Sequence, residues 1–397
     1  MNLQELHTAV RQELTQNILP FYIKHGRDWQ NGGFYGHINN DNSVEPDAPK
    51  GTVQCARLLW SFSQAYRVLG DEMYERMAVQ AFDYLRRYLW DHQHGGLRWS
   101  VTARNAPLDE NKLIYAQAFG IYGLSEFYLA TGNETALALA LRIYRRLESY
   151  GRDGQHGGYW ESCAADWTRN DIPVDDTNYP VAKSMNTNLH VLEAYTNLYR
   201  ANPSGDLHQA LYDLIKVMCE HIINHKIGHM WLHFEADWRP INGHVSYGHD
   251  IEASWLLIEA AEVVADPALL QQCQATAQQM ASTVLDQAIQ TDGSLQNEPL
   301  DDHREWWPQA EALVGFVNAY QLSGEGRYLE AAVNCWRYID AHMIDHEQGE
   351  WFWAVTAAGT PQERVKSGMW KTPYHNGRAC LELIQRIKVE EHVPLRV

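Results

Sequence analysis

Proton transfer near neutral pH calls for side chains that titrate there, and 19 of the 397 residues in this chain are histidine. Three of them, His190, His249 and His375, fall near the starts of helical patterns. Arg57, Tyr115, Asn186, Glu252, Trp307 and Glu311 occupy similar positions, with Trp370 shortly before His375. Singly, each has a plain structural reading. Arg57 would pair with a carboxylate between helices, and His190, in an apolar stretch, would be a hydrogen-bonded core residue. His249 and Glu252, three apart on one helical face, would make an intrahelical contact or an N-terminal cap. Glu311 would be an ion-pair partner, and Trp307 and Trp370 core aromatics. Together they are polar or aromatic where buried helices want small apolar packing, and all stand at corresponding ends of their helices. That convergence points to a chemically dense site.

Metal and nucleotide chemistry lack their motifs. His249-x-x-Glu252 superficially resembles a ligand pair, yet there is no H-E-x-x-H, cysteine quartet or compact carboxylate cluster. Neither G-x-G-x-x-G, a P-loop nor a G-x-S-x-G elbow occurs, so the expectation is a site with no metal and no cofactor.

The elements that must position these residues are announced by a repeated loop. It reads Gly32-Gly33-Phe34-Tyr35, Gly95-Gly96-Leu97-Arg98-Trp99 and Gly157-Gly158-Tyr159-Trp160. Weaker copies are Gly228-His229-Met230-Trp231, Asp292-Gly293-Ser294-Leu295 and Gly349-Glu350-Trp351-Phe352-Trp353. Glycines permit the tight turn, and the aromatic–polar alternation after them suits a short strand or hairpin. Between the loops lie pairs of helical patterns: 57–69 with 72–90, 113–130 with 134–150, 186–199 with 207–225, 251–264 with 267–288, and 307–322 with 328–344. One amphipathic helix within 1–26 precedes the first loop, and one near 373–387 follows the last. Twelve helices in six near-equal units, with a first and last helix left to pair, predict an all-α (α/α)6 barrel with short β-hairpin excursions. The whole of 1–397 reads as one catalytic domain, an open helical solenoid being the alternative.

Composition bounds the partners. With 32 Lys+Arg against 50 Asp+Glu the formal charge is −18, which repels nucleic acid and anionic lipid. No apolar run approaches the roughly 20 residues that span a bilayer, and 1–26 lacks the features of a secretory signal. Six scattered cysteines without a C-x-x-C pair suit reduced, buried thiols, and the expected location is cytoplasmic.

Four segments resemble the cellobiose 2-epimerases within the N-acylglucosamine 2-epimerase superfamily. They are Lys183-Ser184-Met185-Asn186-Thr187-Asn188-Leu189-His190 with Leu192-Glu193-Ala194-Tyr195, then Ser246-Tyr247-Gly248-His249-Asp250-Ile251-Glu252-Ala253-Ser254-Trp255. Trp306-Trp307-Pro308-Gln309-Ala310-Glu311 and Trp370-Lys371-Thr372-Pro373-Tyr374-His375-Asn376-Gly377-Arg378 complete the set. The resemblance spans about residues 3–387 and implies an (α/α)6 barrel that epimerises C2 of a reducing-end sugar without a cofactor. By matching positions it implies His249 and His375 as the acid/base pair, His190 beside the reacting carbonyl, and Arg57 on sugar oxygens. Glu252 and Glu311 match supporting carboxylates, and Tyr115, Trp307 and Trp370 match sugar-stacking aromatics. Two departures stand out: position 188, often histidine in the family, is asparagine, and 164–180 matches loosely where a second sugar ring would be held. Free mannose is therefore kept as an alternative substrate, epimerised to glucose or isomerised to fructose.

Such chemistry removes the C2 proton into an enediolate and returns a proton to the opposite face, so it needs two proton-transfer groups. Histidine, with an ordinary pKa of about 6.5, suits both roles. Arg57 and His190 would stabilise the enediolate, and Glu252 is expected to orient His249. A glycoside hydrolase using Asp250, Glu252 or Glu311 and an inert sugar-binding barrel are the readings from other classes.

Overall fold

The computed structural model describes residues 1–174, 177 and 179–388. Among the described residues the chain forms twelve helical segments in six antiparallel pairs, with short strands between the pairs. The inner helices are α2 (Thr52–Leu69), α4 (Ile114–Thr131), α6 (Met185–Ala201), α8 (Tyr247–Val264), α10 (Trp306–Ser323) and α12 (His375–Arg386). Each packs on the next, and α12 returns to α2, so the ring closes into an (α/α)6 barrel as predicted.

The outer helices are α1 (Leu3–Glu13), α3 (Glu72–Tyr84), α5 (Glu134–Arg146), α7 (Gly205–Val217), α9 (Pro267–Gln287) and α11 (Gly326–Tyr338). Sequence separates the two rings. Inner helices are buried on nearly all sides, as in α4, where every residue from Ile114 to Phe127 is buried. Outer helices bury one stripe, such as Ala136, Leu137, Leu139, Ala140 and Ile143 of α5. The turn from inner to outer helix is equally local. Gly70, Gly132 and Gly324 end their helices in the left-handed conformation, while Asp71, Asn133, Ser204 and Asp266 cap the outer helices that follow.

Helix α2 begins at Thr52, ahead of the periodic stretch that starts at Arg57. Its first turn opens with the β-branched Thr52 and Val53, which have weak helix propensity, and follows the extended Gly51, so the pattern becomes visible only a turn later. The repeated glycine loops are real hairpins: Arg27 bridges Phe34, Trp90 bridges Leu97, Arg152 bridges Tyr159, and Ile344 bridges Trp351. Short strands then tie neighbouring units around the mouth, with 50–51 on 100–101, 112–113 on 162–163, 183–184 on 233–234, and 303–305 on 354–356. His37–Ile38 pairs with Ser367–Gly368, which joins the first unit to the last. All six cysteines are free and buried. No helix among the described residues is long and apolar enough to cross a membrane.

Candidate active site

All six inner helices start at one end of the barrel, and what aims them is a small polar device repeated in the loops. Asp28, Asp91, Asp153 and Asp345 each accept two backbone N–H groups of the turn ahead of them. The second oxygen of each takes a buried lysine: Lys50, Lys112, Lys183 and Lys366. The first three lysines sit in the strand that leads into an inner helix, so hairpin and helix start are locked together. A clamp on the first helical turn completes the device. The Gln117 carboxamide takes both backbone groups of Leu97, Asn188 those of Tyr159, and Gln309 those of Leu295. Asn188 therefore belongs to this scaffold, and its departure from the family's usual histidine concerns how the loop is held.

Above the floor, Arg57 is buried and fixed. Its guanidinium donates to the Trp370 carbonyl at 2.7 Å and the Tyr115 hydroxyl at 2.8 Å, over the rings of Phe119 and Tyr374. Tyr115 packs edge-on to His190 with 5.0 Å between centroids. It lies deeper than the half-buried Trp307 and Trp370, which offer more open aromatic faces. His190 Nδ1 meets Glu193 Oε2 at 2.9 Å. His249 is half-buried, and its Nδ1 lies 2.7 Å from Ser246 Oγ. His375 is buried, with Nδ1 2.6 Å from Glu311 Oε1. The Trp307 ring lies between the two, 4.6 Å from His249 and 5.6 Å from His375. Asn186 sits half-buried on the first turn of α6. The structure thus brings eight of the ten predicted residues to one mouth, with the buried Glu252 and Glu311 directly beneath it.

One turn deeper lies a layer of which sequence reasoning singled out only Glu252 and Glu311. Arg378, fully buried, donates to Glu252 Oε1 at 2.5 Å and Glu311 Oε1 at 2.6 Å, and it pairs with Glu193. Tyr374 donates to both Glu193 oxygens at 2.6 and 2.7 Å, and Trp255 donates to Glu311 Oε2 at 3.1 Å. The expectation that Glu252 orients His249 is corrected here. Glu252 is held by Arg378 across the barrel, and a serine hydroxyl takes the His249 nitrogen that a carboxylate would have had to hold. A signal for this layer was present. Glu193, Glu252 and Arg378 follow His190, His249 and His375 by three residues, and Glu311 follows Trp307 by four, which is one helical turn. Three carboxylates and one guanidinium at the same depth in helices buried on all sides have to meet one another.

Three carboxylates share one guanidinium, and the titration reflects it. Burial, and then repulsion from Glu311, push Glu252 up to about 7 against the pull of Arg378. Burial also raises Glu311, whereas at Glu193 the effect of burial is outweighed by Arg378 and by hydrogen bonds from His190 and Tyr374. His375 is held well below its ordinary value by burial, then by the charges of Arg57 and Arg378. It is therefore neutral near pH 7, and because its Nδ1 proton points at Glu311, Nε2 carries the free lone pair. Glu252, Glu311 and His375 have potential ligand atoms within 4.8 Å of one another. Arg378 already sits on both carboxylates, so a divalent cation there would face a fixed positive charge. The donor set suits proton transfer on a neutral polyol better than metal ligation.

Comparisons with known proteins show the family and the fold. The family model for N-acylglucosamine 2-epimerase (GlcNAc 2-epimerase) matches residues 33–379. A cellobiose 2-epimerase of Bacteroides fragilis is 41% identical over 387 residues, covering 96% of this chain and 98% of the relative. The solved cellobiose 2-epimerase of Bacillus thermoamylovorans superposes with a TM-score of 0.93 at 39% identity, covering 97% of this chain and 100% of the other. More distantly, a D-mannose isomerase of Marinomonas mediterranea is 24% identical, covering 90% of this chain and 92% of the relative.

Proposed function

Because the chain belongs to the cellobiose 2-epimerases of the N-acylglucosamine 2-epimerase family, and is thus a carbohydrate epimerase, we propose that it inverts C2 of the reducing-end unit of a cellobiose-type disaccharide, with His249 and His375 exchanging the proton. The observation that carries the assignment of the two bases is their placement. They come from different inner helices, flank the same Trp307 ring, and each has a partner at Nδ1.

The open-chain sugar presents an aldehyde at C1. As the C2–H bond breaks, its proton passes to one imidazole, the bonding pair forms C1=C2, and the carbonyl π pair moves to O1. Reprotonation at C2 from the other face restores the aldehyde with inverted C2. Arg57, pinned by Trp370 and Tyr115, supplies fixed positive charge for the enediolate, and His190, whose Nδ1 is held by Glu193, donates to its oxygens from Nε2 in the doubly protonated form. Neutral His375 is ready to accept a proton at pH 7. Trp307 and Trp370 give flat faces to sugar C–H groups, and Asn186, Glu252 and Glu311 hold hydroxyls or their neighbours. The scheme requires no metal or cofactor.

A second reading follows from the D-mannose isomerase relative: the same enediolate protonated at C1 gives a ketose. Proton NMR in D2O with a chelator present, on cellobiose and on mannose separately, tests both. The expected result is the 2-epimer of cellobiose with deuterium at C2, formed faster than any mannose product. Ketose as the main product would make the enzyme an isomerase, faster turnover of mannose would move the substrate to the free monosaccharide, and free glucose from cellobiose would mean hydrolysis.

A further inference from the structure

The two candidate bases are held differently. His375 leans on a carboxylate, whereas His249 leans on the hydroxyl of Ser246, the N-cap residue of α8. That hydroxyl also lies 3.0 Å from Asn297 Oδ1, in the loop that follows the fifth hairpin. Asn297 is pinned from two sides: its carbonyl accepts the Tyr247 N–H at 2.8 Å, and its Oδ1 accepts the Gly248 N–H at 3.3 Å. The Gly248 donor identifies that side-chain atom as the oxygen, since an amide nitrogen there would set N–H against N–H.

The proton count then runs one way. Asn297 Oδ1 has no proton to give, so the single Ser246 hydroxyl proton points to it. Ser246 Oγ is left with lone pairs, and the hydrogen between it and His249 must come from Nδ1. A neutral His249 with hydrogen on Nδ1 has its lone pair on Nε2. The close approach depends on glycine. A Cβ at Gly248 would stand 2.8 Å from Asn297 Oδ1 and 2.6 Å from the Trp307 ring.

We propose that Ser246 and Asn297 are positioning residues that fix His249 as the Nδ1–H tautomer, so that Nε2 is the atom that exchanges a proton with C2 on its own face of the substrate. The proposal rests on the reading of His249 as an acid/base group. A residue that merely capped α8 would affect melting temperature but not the tautomer.

The test uses the full chain with 15N-labelled histidine, reading ring nitrogen shifts beside kcat and KM for cellobiose. The His249 signals are assigned by their loss in His249→Asn. Wild type is expected to show His249 protonated at Nδ1. Ser246→Ala and Asn297→Ala should populate the Nε2–H form and lower kcat by about 10- to 100-fold, the scale at which partners of functional histidines act, with KM little changed. Ser246→Thr should restore both readings. If Ser246→Ala loses its fold with the cap, Asn297→Ala, which leaves the cap in place, carries the test. An Nε2–H ring in wild type, or an unchanged tautomer and kcat in a folded alanine variant, overturns the proposal. Full turnover by His249→Asn would instead remove the acid/base reading, and the proposal with it. An inactive His249→Asn beside an unaffected Asn297→Ala rejects the positioning role alone.

Discussion

Buried charge is used in two ways in this barrel, once in the loops around the mouth and once beneath it. In the loops each aspartate has a lysine of its own: Lys50 with Asp28, Lys112 with Asp91, which Arg98 also approaches to 3.7 Å, and Lys183 with Asp153. Burial works against both charges and lowers the lysines, yet the lysine and two turn N–H groups together hold each of these aspartates below its ordinary pKa. These pairs stay ionised and fix geometry. Beneath the mouth one guanidinium serves Glu193, Glu252 and Glu311. That imbalance draws in a proton, which Glu252 holds up to about pH 7. Balanced charge makes scaffold, and unbalanced charge next to histidines makes a site whose protonation changes in the working range.

The contrast can be broken most severely at the hub. Arg378→Met would leave three carboxylates buried without their cation, so turnover should vanish and stability fall by about 3–5 kcal/mol, the usual cost of stripping one partner from a buried pair. Denaturant titration beside the epimerase assay checks this, and a stable, active variant would refute the hub. The loop pairs should respond differently. Lys50→Met leaves Asp28 buried but still holding its turn N–H groups, so a loss of about 1–3 kcal/mol is expected. Its kcat per folded molecule should be unchanged, and a large drop in kcat would show that the loops do more than hold.

The smallest effect sharpens the comparison by pH. Glu252 has its folded pKa raised from 4.5 to about 7, so between those values the folded state keeps a proton the unfolded chain has lost. Its stabilising contribution is therefore complete below pH 4.5 and is lost as pH rises toward 7. Glu252→Gln cannot titrate and should remove that slope. Melting curves at pH 5 and pH 8 should show wild type losing more stability than the variant over the interval, and parallel losses would mean that Glu252 carries no such proton.

How far the sequence alone reached can be read from particular residues. Helix pairs and loops were legible because periodicity, left-handed glycines such as Gly70 and Gly132, and the caps after them are local properties of the chain. Gly32-Gly33 and its copies marked the hairpins for the same reason, and the place of His190, His249 and His375 near helix starts pointed to one chemical end. Sequence spacing misled at Glu252: three residues from His249, it looked like that histidine's partner, but the spacing instead separates two layers of the barrel by one turn. The partner of Glu252 is Arg378, 126 residues away, and His249 takes its tautomer from a loop residue, Asn297, through Ser246. Asn188 likewise read only as a departure from the family pattern, and it is a loop clamp. A helix specifies which of its own residues share a face. Which charge on a neighbouring helix meets that face is decided only when the ring closes, because burial then forces each charge to find an opposite one across the barrel.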